Sequence, residues 1–263
     1  MICSRLGEGI ASNYSYAYTL EQFITATITA TLSLILLSRY ATYVSEGNTE
    51  MVVKTFRESL SGLMIILVPI TIVACGMSPE IVTIVYKRGM FDDTAAYHTG
   101  RALVGFAVGF GLIAIREMYI RLHFAYQDTK MPMAANIAAV VLNAALSLLL
   151  APYIGVLGVA LATSLSVILT IFLLNRSVKK YLPNFRFLSM SKLLINLAVA
   201  GTATAATAVM MRQMLHASPI VEFLVCASTA MLVYYLALVL MRCEELYAFI
   251  GQMRTAIRKK LAR

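Results

Sequence analysis

The chain has 263 residues, of which 60% are hydrophobic and 13% are charged, and its formal net charge is +9. Soluble domains carry about 25% charged residues, so this composition excludes an ordinary water-soluble fold. In lipid, every backbone polar group must be paired within the protein, which leaves helices or closed barrels. Because the apolar segments are continuous and do not alternate, the sequence predicts an all-α polytopic membrane protein.

Seven nearly uncharged stretches are long enough to cross the hydrocarbon core as helices. In chain order they are predicted at 18–37, 60–77, 102–126, 133–151, 155–174, 193–211 and 219–241. The remaining segments are predicted as a polar loop at 38–59, a short interfacial helix at 79–86 and an amphipathic basic tail after the last span.

The first predicted span is rich in threonine. Thr25 and Thr29 are four residues apart, so their hydroxyls lie on one face of a helix. Two interpretations are open. The hydroxyls either bond to the carbonyls of their own helix and permit close packing, or they line a polar cavity.

Prolines and acidic residues mark the next segments. Pro69 lies inside the second predicted span, where it removes a backbone hydrogen bond and kinks the helix. A glycine-containing turn follows the short interfacial helix, and its Asp92 and Asp93 are placed to cap the next helix. In the fourth span, Pro152 is predicted to end the helix.

The third predicted span carries Arg116, Glu117 and Arg121 in an otherwise apolar helix. Glu117 and Arg121 are four residues apart and share a face on which they can pair. Ionisable groups inside a span are costly and usually face a protein interior or a water-filled cavity. We therefore expect Arg116 and Glu117 to face such an interior, whereas Arg121 is close enough to the helix end to reach the interface.

The basic residues are distributed unevenly between the predicted loops. Those on the side of the C-terminal tail hold 15 of the 22 lysines and arginines, those on the opposite side hold 5, and the other 2 lie in the third span. Such a bias places the richer side in the cytoplasm. It explains the net charge without nucleic acid, which we do not expect as a partner.

The residue types that usually bind metals or perform catalysis are scattered. No metal-ligand or disulfide spacing relates the cysteines and histidines, which are Cys3, Cys75, Cys226, Cys243, His98, His123 and His216. The sequence has no Gly-Lys-Ser/Thr phosphate loop, no paired-carboxylate motif and no nucleophile–histidine arrangement. We expect no metal, no cofactor and no enzymatic activity.

Four stretches, taken in order and spacing, resemble the MviN/MurJ family of flippases for lipid-linked cell-wall precursors. They lie at 6–17, 86–92, 124–132 and 155–164. The second resembles the family's RGxFD loop, and the third resembles its short DTkTP loop between two spans. The residues that match these two loops are Arg88, Gly89, Phe91, Asp92, Asp128, Thr129 and Pro132.

The resemblance implies a MATE-like fold, the fold of the multidrug/oligosaccharidyl-lipid/polysaccharide exporters. In this fold two lobes surround a central cavity, and their relative movement opens the cavity to one side of the membrane at a time. The resemblance also implies a lipid II-like substrate, an undecaprenyl-pyrophosphate-linked precursor that is moved across the bacterial inner membrane for peptidoglycan synthesis. Two alternatives are open. The chain is either a precursor flippase for exopolysaccharide or O-antigen in the same superfamily, or a truncated membrane protein that transports nothing.

The match covers only the C-terminal half of the family. Residues 2–17 align with the end of the family's seventh helix. We expect the N-terminal lobe to come from the same longer chain or from a partner half-chain. The domains would be a helix end and loop at 1–17, a five-helix lobe at 18–175, two extra helices at 176–241 and a basic cytoplasmic tail at 242–263.

The resemblance also suggests which residues would bind the substrate. The family's charged pair after a tyrosine is replaced here by Tyr18 and Thr19, and Glu21 and Gln22 remain as polar groups one turn on. Arginines would hold the pyrophosphate, a paired glutamate would release it, hydroxyls and amides would contact the glycan, and the last two spans would hold the polyprenyl tail. The cavity candidates are Arg116, Glu117, Arg121, Glu21, Gln22, Thr25, Thr29 and Asn143.

Overall fold

The structure is a computed structural model that describes residues 9–89, 91–183, 185, 190–215 and 218–251, without the side chains of 28 and 30–35. The described residues form helices and connecting turns. The helices are α1 (Ile10–Ser45), α2 (Thr49–Gly76), α3 (Ser78–Tyr86), α4 (Asp93–Ala107), α5 (Phe110–Ala125), α6 (Lys130–Ile154), α7 (Val156–Val178), α8 (Ser191–Met214) and α9 (Pro219–Leu240). Residues 244–251 are also helical.

Five of the predicted spans are confirmed as helices long and apolar enough to cross a membrane, namely α2, α6, α7, α8 and α9. The third predicted span is wrong as a single helix, because α4 and α5 meet at a bend of 43° and pass the same test only as a pair. The first predicted span lies within α1. The structure does not describe the side chains of residues 28 and 30–35 of this helix. Seven spans therefore stay a prediction.

Two predicted boundaries are also wrong. The polar loop at 38–59 shrinks to the short connection between α1 and α2, because Tyr40 and Phe56 are buried against each other and both helices extend to reach this contact. Asn48 caps α2 by accepting a 3.1 Å bond from the amide of Met51. Pro152 lies inside α6, and the turn that ends the helix is at Gly155, whose φ is +64°.

The bend between α4 and α5 depends on close contact with α7. The amide of Gly109 bonds to the carbonyl of Phe106 instead of that of Gly105. The buried Ser164 of α7 donates a 2.8 Å hydrogen bond to the carbonyl of Gly105. The bend leaves the carbonyl of Gly105 without the backbone amide that would bond to it in a straight helix. The hydroxyl of Ser164 supplies the missing donor, as a buried carbonyl requires.

The loops gather at two opposite ends of the bundle, as alternating spans require. At one end Arg101 donates to the carbonyl of Ile154, and Arg212 of α8 pairs with Glu80 of α3 at 3.1 Å. At the other end the hydroxyl of Tyr181 donates to Asp128. These contacts agree with the predicted grouping of the loops into two sides.

The C-terminal elements pack on α2. Helix α8 lies along α2, and α9 lies along α8 and reaches α3. The helical residues 244–251 place Phe249 over Gly62 of α2, where an added Cβ would lie 2.8 Å from the ring. Alanine in place of this glycine would push the phenylalanine away.

The α4–α7 contact predicts a large effect of one methyl group. In a Gly105→Ala variant the new Cβ would lie 2.7 Å from the Cβ of Ala160 and 3.0 Å from the carbonyl oxygen of Leu157. Overpacking of this kind costs about 1–3 kcal/mol. We expect the thermal unfolding temperature of the purified protein in detergent to fall by several degrees.

Gly111 supplies the matched control, because nothing lies within 4 Å of a Cβ added there. Gly111→Ala should be neutral or stabilising by up to about 1 kcal/mol, since alanine favours the helix. Equal unfolding temperatures for the two variants would show that the α4–α7 contact at Gly105 does not stabilise the protein.

Candidate functional site

The charged residues of α5 form a linked group within the membrane-spanning region. Arg116 donates a 2.9 Å hydrogen bond to Glu117 Oε1, and Arg121 lies 3.9 Å from Glu117 Oε2. All three side chains are partly exposed, at 22–29% of their surface. The Nε atoms of both arginines are buried and have no partner among the described residues. The two guanidinium groups are therefore only partly satisfied within the described residues.

Glu21 of α1 adds a second carboxylate to this group. It is 1% exposed and lies within electrostatic range of Arg116 on α5. Gln22 donates a 2.8 Å hydrogen bond to Glu21 Oε2, and Thr25 donates toward Oε1 at 3.0 Å. The packing of α1 on α5 thus brings together six of the eight predicted cavity residues: Glu21, Gln22, Thr25, Arg116, Glu117 and Arg121.

The threonines of α1 bond to their own helix. The hydroxyl of Thr25 lies 2.9 Å from the carbonyl oxygen of Glu21, and that of Thr29 lies 2.7 Å from that of Thr25. Both side chains are buried. The first of the two interpretations is confirmed for these residues: they permit close helix packing. Thr25 differs from Thr29 because its hydroxyl also reaches the carboxylate of Glu21.

An exposed face of α1 carries a polar stripe, of which the sequence predicted only Gln22 as a cavity candidate. Ser12, Ser15, Thr19 and Gln22 are exposed and follow one another at spacings of three and four residues. Such spacing places them on one helix face, and it was readable from the sequence. The exposed rings of Tyr16 and Phe23 fall at the same spacing, so the face is mixed, and its polar members suit contact with water or another protein.

The unpartnered face of α6 is chemically different. Asn136 and Tyr153 are exposed on this helix, but most of its large exposed side chains are apolar: Met133, Ile137, Val140, Val141, Leu148 and Leu149. Lipid tails match this face. The exposed face of α6 is therefore the more apolar of the two.

Asn143 belongs to a separate polar network between α6 and α7. Its amide donates a 3.0 Å hydrogen bond to the hydroxyl of Thr163, and its carbonyl accepts from Ser147 at 3.2 Å. The hydroxyl of Tyr14 lies 3.5 Å from that of Thr163. No contact joins Asn143 to the charged group on α5 within the described residues.

The first motif loop fixes the start of α4. Asp92 caps the helix by accepting a 2.7 Å bond from the amide of Ala95, as predicted. The ring of Phe91 packs on Tyr16 and Tyr86 with centroids 5.5 and 5.8 Å away. Gly89, at φ +60°, makes the turn, and Arg88 beside it is exposed. The loop therefore ties α3 and α4 to α1.

The second motif loop joins α5 to α6. Asp128 accepts from the amide of Met131 at 3.1 Å and from the hydroxyl of Tyr181 at 3.0 Å. Burial alone would raise the pKa of Asp128, but these hydrogen bonds and the nearby His123 lower it below its ordinary value. Thr129 precedes α6, and Pro132 is buried in its first turn. The ionised aspartate thus holds the loop after α7 against the start of α6.

Metal ligands do not converge anywhere in the described part of the chain: no three His, Cys, Asp or Glu side chains come together there.

Comparisons with known proteins give a consistent result. The sequence model of the family described as "Lipid II flippase MurJ" matches residues 1–240. A probable lipid II flippase MurJ of Rhizobium tropici is 25% identical over 159 residues, which are 60% of this chain and 30% of the relative. The protein of the same name from Treponema pallidum (strain Nichols) is 24% identical over 192 residues, which are 70% of this chain and 36% of the relative.

A solved structure shares the fold. It is described as lipid II flippase MurJ in an inward closed conformation, and it matches with a TM-score of 0.78 at 20% identity. The match covers 92% of this chain and 49% of that one. The chain spans about a third of the length of the two curated relatives and about half of the solved structure.

The Asp128–Tyr181 contact predicts a pH-dependent stability. Because the folded pKa of Asp128 is lowered, its contribution is present above the ordinary pKa of about 4 and is lost as the pH falls through the folded value. Tyr181→Phe removes one hydrogen bond to a carboxylate that is partly exposed to solvent, for which we expect a loss of about 1 kcal/mol at neutral pH. Thermal unfolding followed by circular dichroism at a series of pH values measures this loss of stability.

Tyr153→Phe is the control, since Tyr153 is 82% exposed. The stability gap between wild type and Tyr181→Phe should close as Asp128 becomes protonated. A gap that stays constant down to the lowest pH would show that the tyrosine acts through packing alone.

Proposed function

The chain belongs to the MurJ family of lipid II flippases, and we propose that it forms the C-terminal lobe of a flippase that moves an undecaprenyl-pyrophosphate-linked cell-wall precursor across the bacterial inner membrane. Within that lobe we assign residues 18–175 to a five-helix core and residues 176–241 to an additional helix pair. The relatives' names and the fold support the proposal, and the arrangement of charges between α1 and α5 carries it.

The observation that best supports this function is the charged group within apolar spans. Its members are Glu21, Arg116, Glu117 and Arg121. Ionisable groups at this depth are expensive unless each has a partner or a polar compartment. Here the two arginines lie near two carboxyl groups, so the empty lobe tolerates them. A scaffold without transport has no need of such a group, whereas a carrier of anionic lipids does.

The geometry suggests how the group handles a pyrophosphate. Arginine binds phosphate oxygens through paired, charge-assisted hydrogen bonds. The substrate would compete with Glu117 for Arg116 and Arg121. Glu117 would recover its partners when the head group leaves. Release is thereby coupled to re-formation of the ion pairs.

The polar stripe on α1 indicates where the second lobe would lie. Ser12, Ser15, Thr19 and Gln22 face away from the helices that pack on α1. We propose that this face borders the central cavity, opposite an N-terminal lobe supplied by the same polypeptide or by a partner. Thr25 and Glu21 would then connect the cavity face to the arginines of α5.

The first test is Arg116→Ala in membranes that contain both lobes. We expect translocation of fluorescent lipid II, measured as its accessibility to an impermeant quencher, to slow by roughly ten-fold or more, since a hydrogen bond to a charged group is worth about 1.5–3 kcal/mol. Arg116→Lys keeps the charge but loses paired donation, so it should retain an intermediate rate.

Lys192→Ala is the matched control, because Lys192 is exposed on α8 and its loss also removes one positive charge. Undiminished translocation in Arg116→Ala would remove this arginine from the mechanism. An equal loss in Lys192→Ala would point to a general effect of charge.

The excess of basic residues predicts the orientation in the inner membrane, with the C-terminus in the cytoplasm. Tyr153 and Lys179 are exposed at opposite ends of α6–α7. In intact cells, an impermeant thiol reagent should label Tyr153→Cys from outside and leave Lys179→Cys unlabelled until the cells are opened. The reverse pattern would invert the topology.

A further inference from the structure

Glu21 is a buried carboxyl group inside the first predicted span. Its side chain is 1% exposed, and α1 packs on α2, α4, α5 and α7. An ionised carboxyl in such surroundings is costly unless a counter-charge and hydrogen bonds replace its water. Its two oxygens are therefore the place to ask whether the group is held charged or takes up a proton.

The counter-charge of Glu21 is not a direct ion pair. Within the described residues, the ion pairs of Arg116 and Arg121 are made with Glu117. Arg116 of α5 is nevertheless the charged side chain whose field reaches Glu21, and α2, α4 and α7 present no described ionisable side chain that interacts with it. The charge of Glu21 is therefore sensitive to whatever else Arg116 binds.

The hydroxyl of Thr25 is placed to serve both protonation states of Glu21. It lies 2.9 Å from the backbone carbonyl oxygen of Glu21 and 3.0 Å from Oε1. A hydroxyl has one hydrogen to donate and two lone pairs that accept. It can donate to Oε1 when the carboxyl is ionised. When the carboxyl is protonated, it can donate to the carbonyl oxygen and accept the hydrogen of the acid. No buried polar atom has to lose its partner on the change.

Gln22 occupies the other carboxylate oxygen. Its amide nitrogen donates to Oε2 at 2.8 Å, and its side chain is exposed on the polar face of α1. A hard metal cation needs about six oxygen ligands, and an amide N–H aimed at the carboxylate opposes such a shell. A proton needs Oε1 alone. Gln22 also joins the buried carboxyl to the face that water can reach.

We propose that Glu21 is a proton-binding site whose occupancy is coupled to the binding of a phosphate group at Arg116. The inference rests on the proposed function, because it takes Arg116 as part of the phosphate site. In the empty lobe, the field of Arg116 keeps part of the Glu21 population ionised. A phosphate on Arg116 offsets that field, and a proton from water at the polar face moves to Oε1. The proton returns to water when the phosphate leaves.

The coupling is reciprocal, since two ligands that affect each other's binding do so by the same factor. The phosphate-bound state takes up a proton, so phosphate binding tightens as the pH falls. The effect is at most about ten-fold per pH unit, over the range in which Glu21 titrates. A neutral Glu21 also removes a negative charge that would repel the phosphate.

Calorimetric titration of inorganic pyrophosphate into the full chain, held in neutral phosphatidylcholine nanodiscs, tests the coupling. Repeating the titration in buffers of different ionisation enthalpy counts the protons taken up on binding. Because pyrophosphate itself titrates, the reference is Glu21→Gln, which keeps the shape and is neutral at every pH. We expect wild type to take up as much as about one proton more than this variant. The affinity of Glu21→Gln relative to wild type should rise with pH.

Glu46→Gln is the matched control, because Glu46 caps the same helix and is exposed. It should take up as many protons as wild type. Equal proton counts in wild type and Glu21→Gln, with both binding pyrophosphate, would overturn the coupling alone. If neither protein bound pyrophosphate at any pH, the phosphate site of the proposed function would be wrong, and the coupling with it.

Infrared difference spectra recorded on addition of pyrophosphate provide a second measurement. The carbonyl band of a protonated carboxylic acid should grow in wild type and not in Glu21→Gln. No growth in wild type would overturn the proposal even if the variant failed to fold. Growth that persists in Glu21→Gln would assign the proton to another carboxyl, such as Glu117, and would overturn it as well.

Discussion

Every charge placed inside a membrane span needs an opposite charge, a hydrogen-bond partner or water within reach. In this lobe the requirement is met by pairing two helices that are distant in sequence. Arg116, Glu117 and Arg121 satisfy one another only in part, and Glu21 reaches them because α1 packs on α5. The contact between α1 and α5 thus has an electrostatic reason as well as an apolar one, and it fixes which face of α1 is left free.

The position of α5 depends in turn on the bend that precedes it. If α4 and α5 formed one straight helix, Arg116 would point in a different direction relative to α1. Ser164 accommodates the bend by satisfying the carbonyl of Gly105, and the two glycines allow α7 to approach. The hydroxyl of Ser164 on α7 thus supports the bend that sets the direction of α5.

Local rules predicted much of this architecture. Continuous apolar runs located α2 and α6–α9, and the cap formed by Asp92 and the pairing of Glu117 with Arg121 follow from residues a few positions apart. The bend and the approach of Glu21 to Arg116 were not predictable in this way. Both depend on residues far along the chain, as Ser164 is from Gly105. The extended ends of α1 and α2 were missed because polar residues suggested a loop, whereas the buried Tyr40–Phe56 contact keeps the region helical.

The fit between Gly105 and Ala160 also constrains how such a lobe can diverge. A Cβ at residue 105 would lie 2.7 Å from that of Ala160. Because no space is left between the two helices there, a larger side chain at residue 105 alone would displace a helix. A lineage that acquires alanine at 105 would have to reduce residue 160 to glycine, or let α4 and α7 move apart together. These two positions, 55 residues apart in the chain, are therefore expected to change as a pair across evolutionary time.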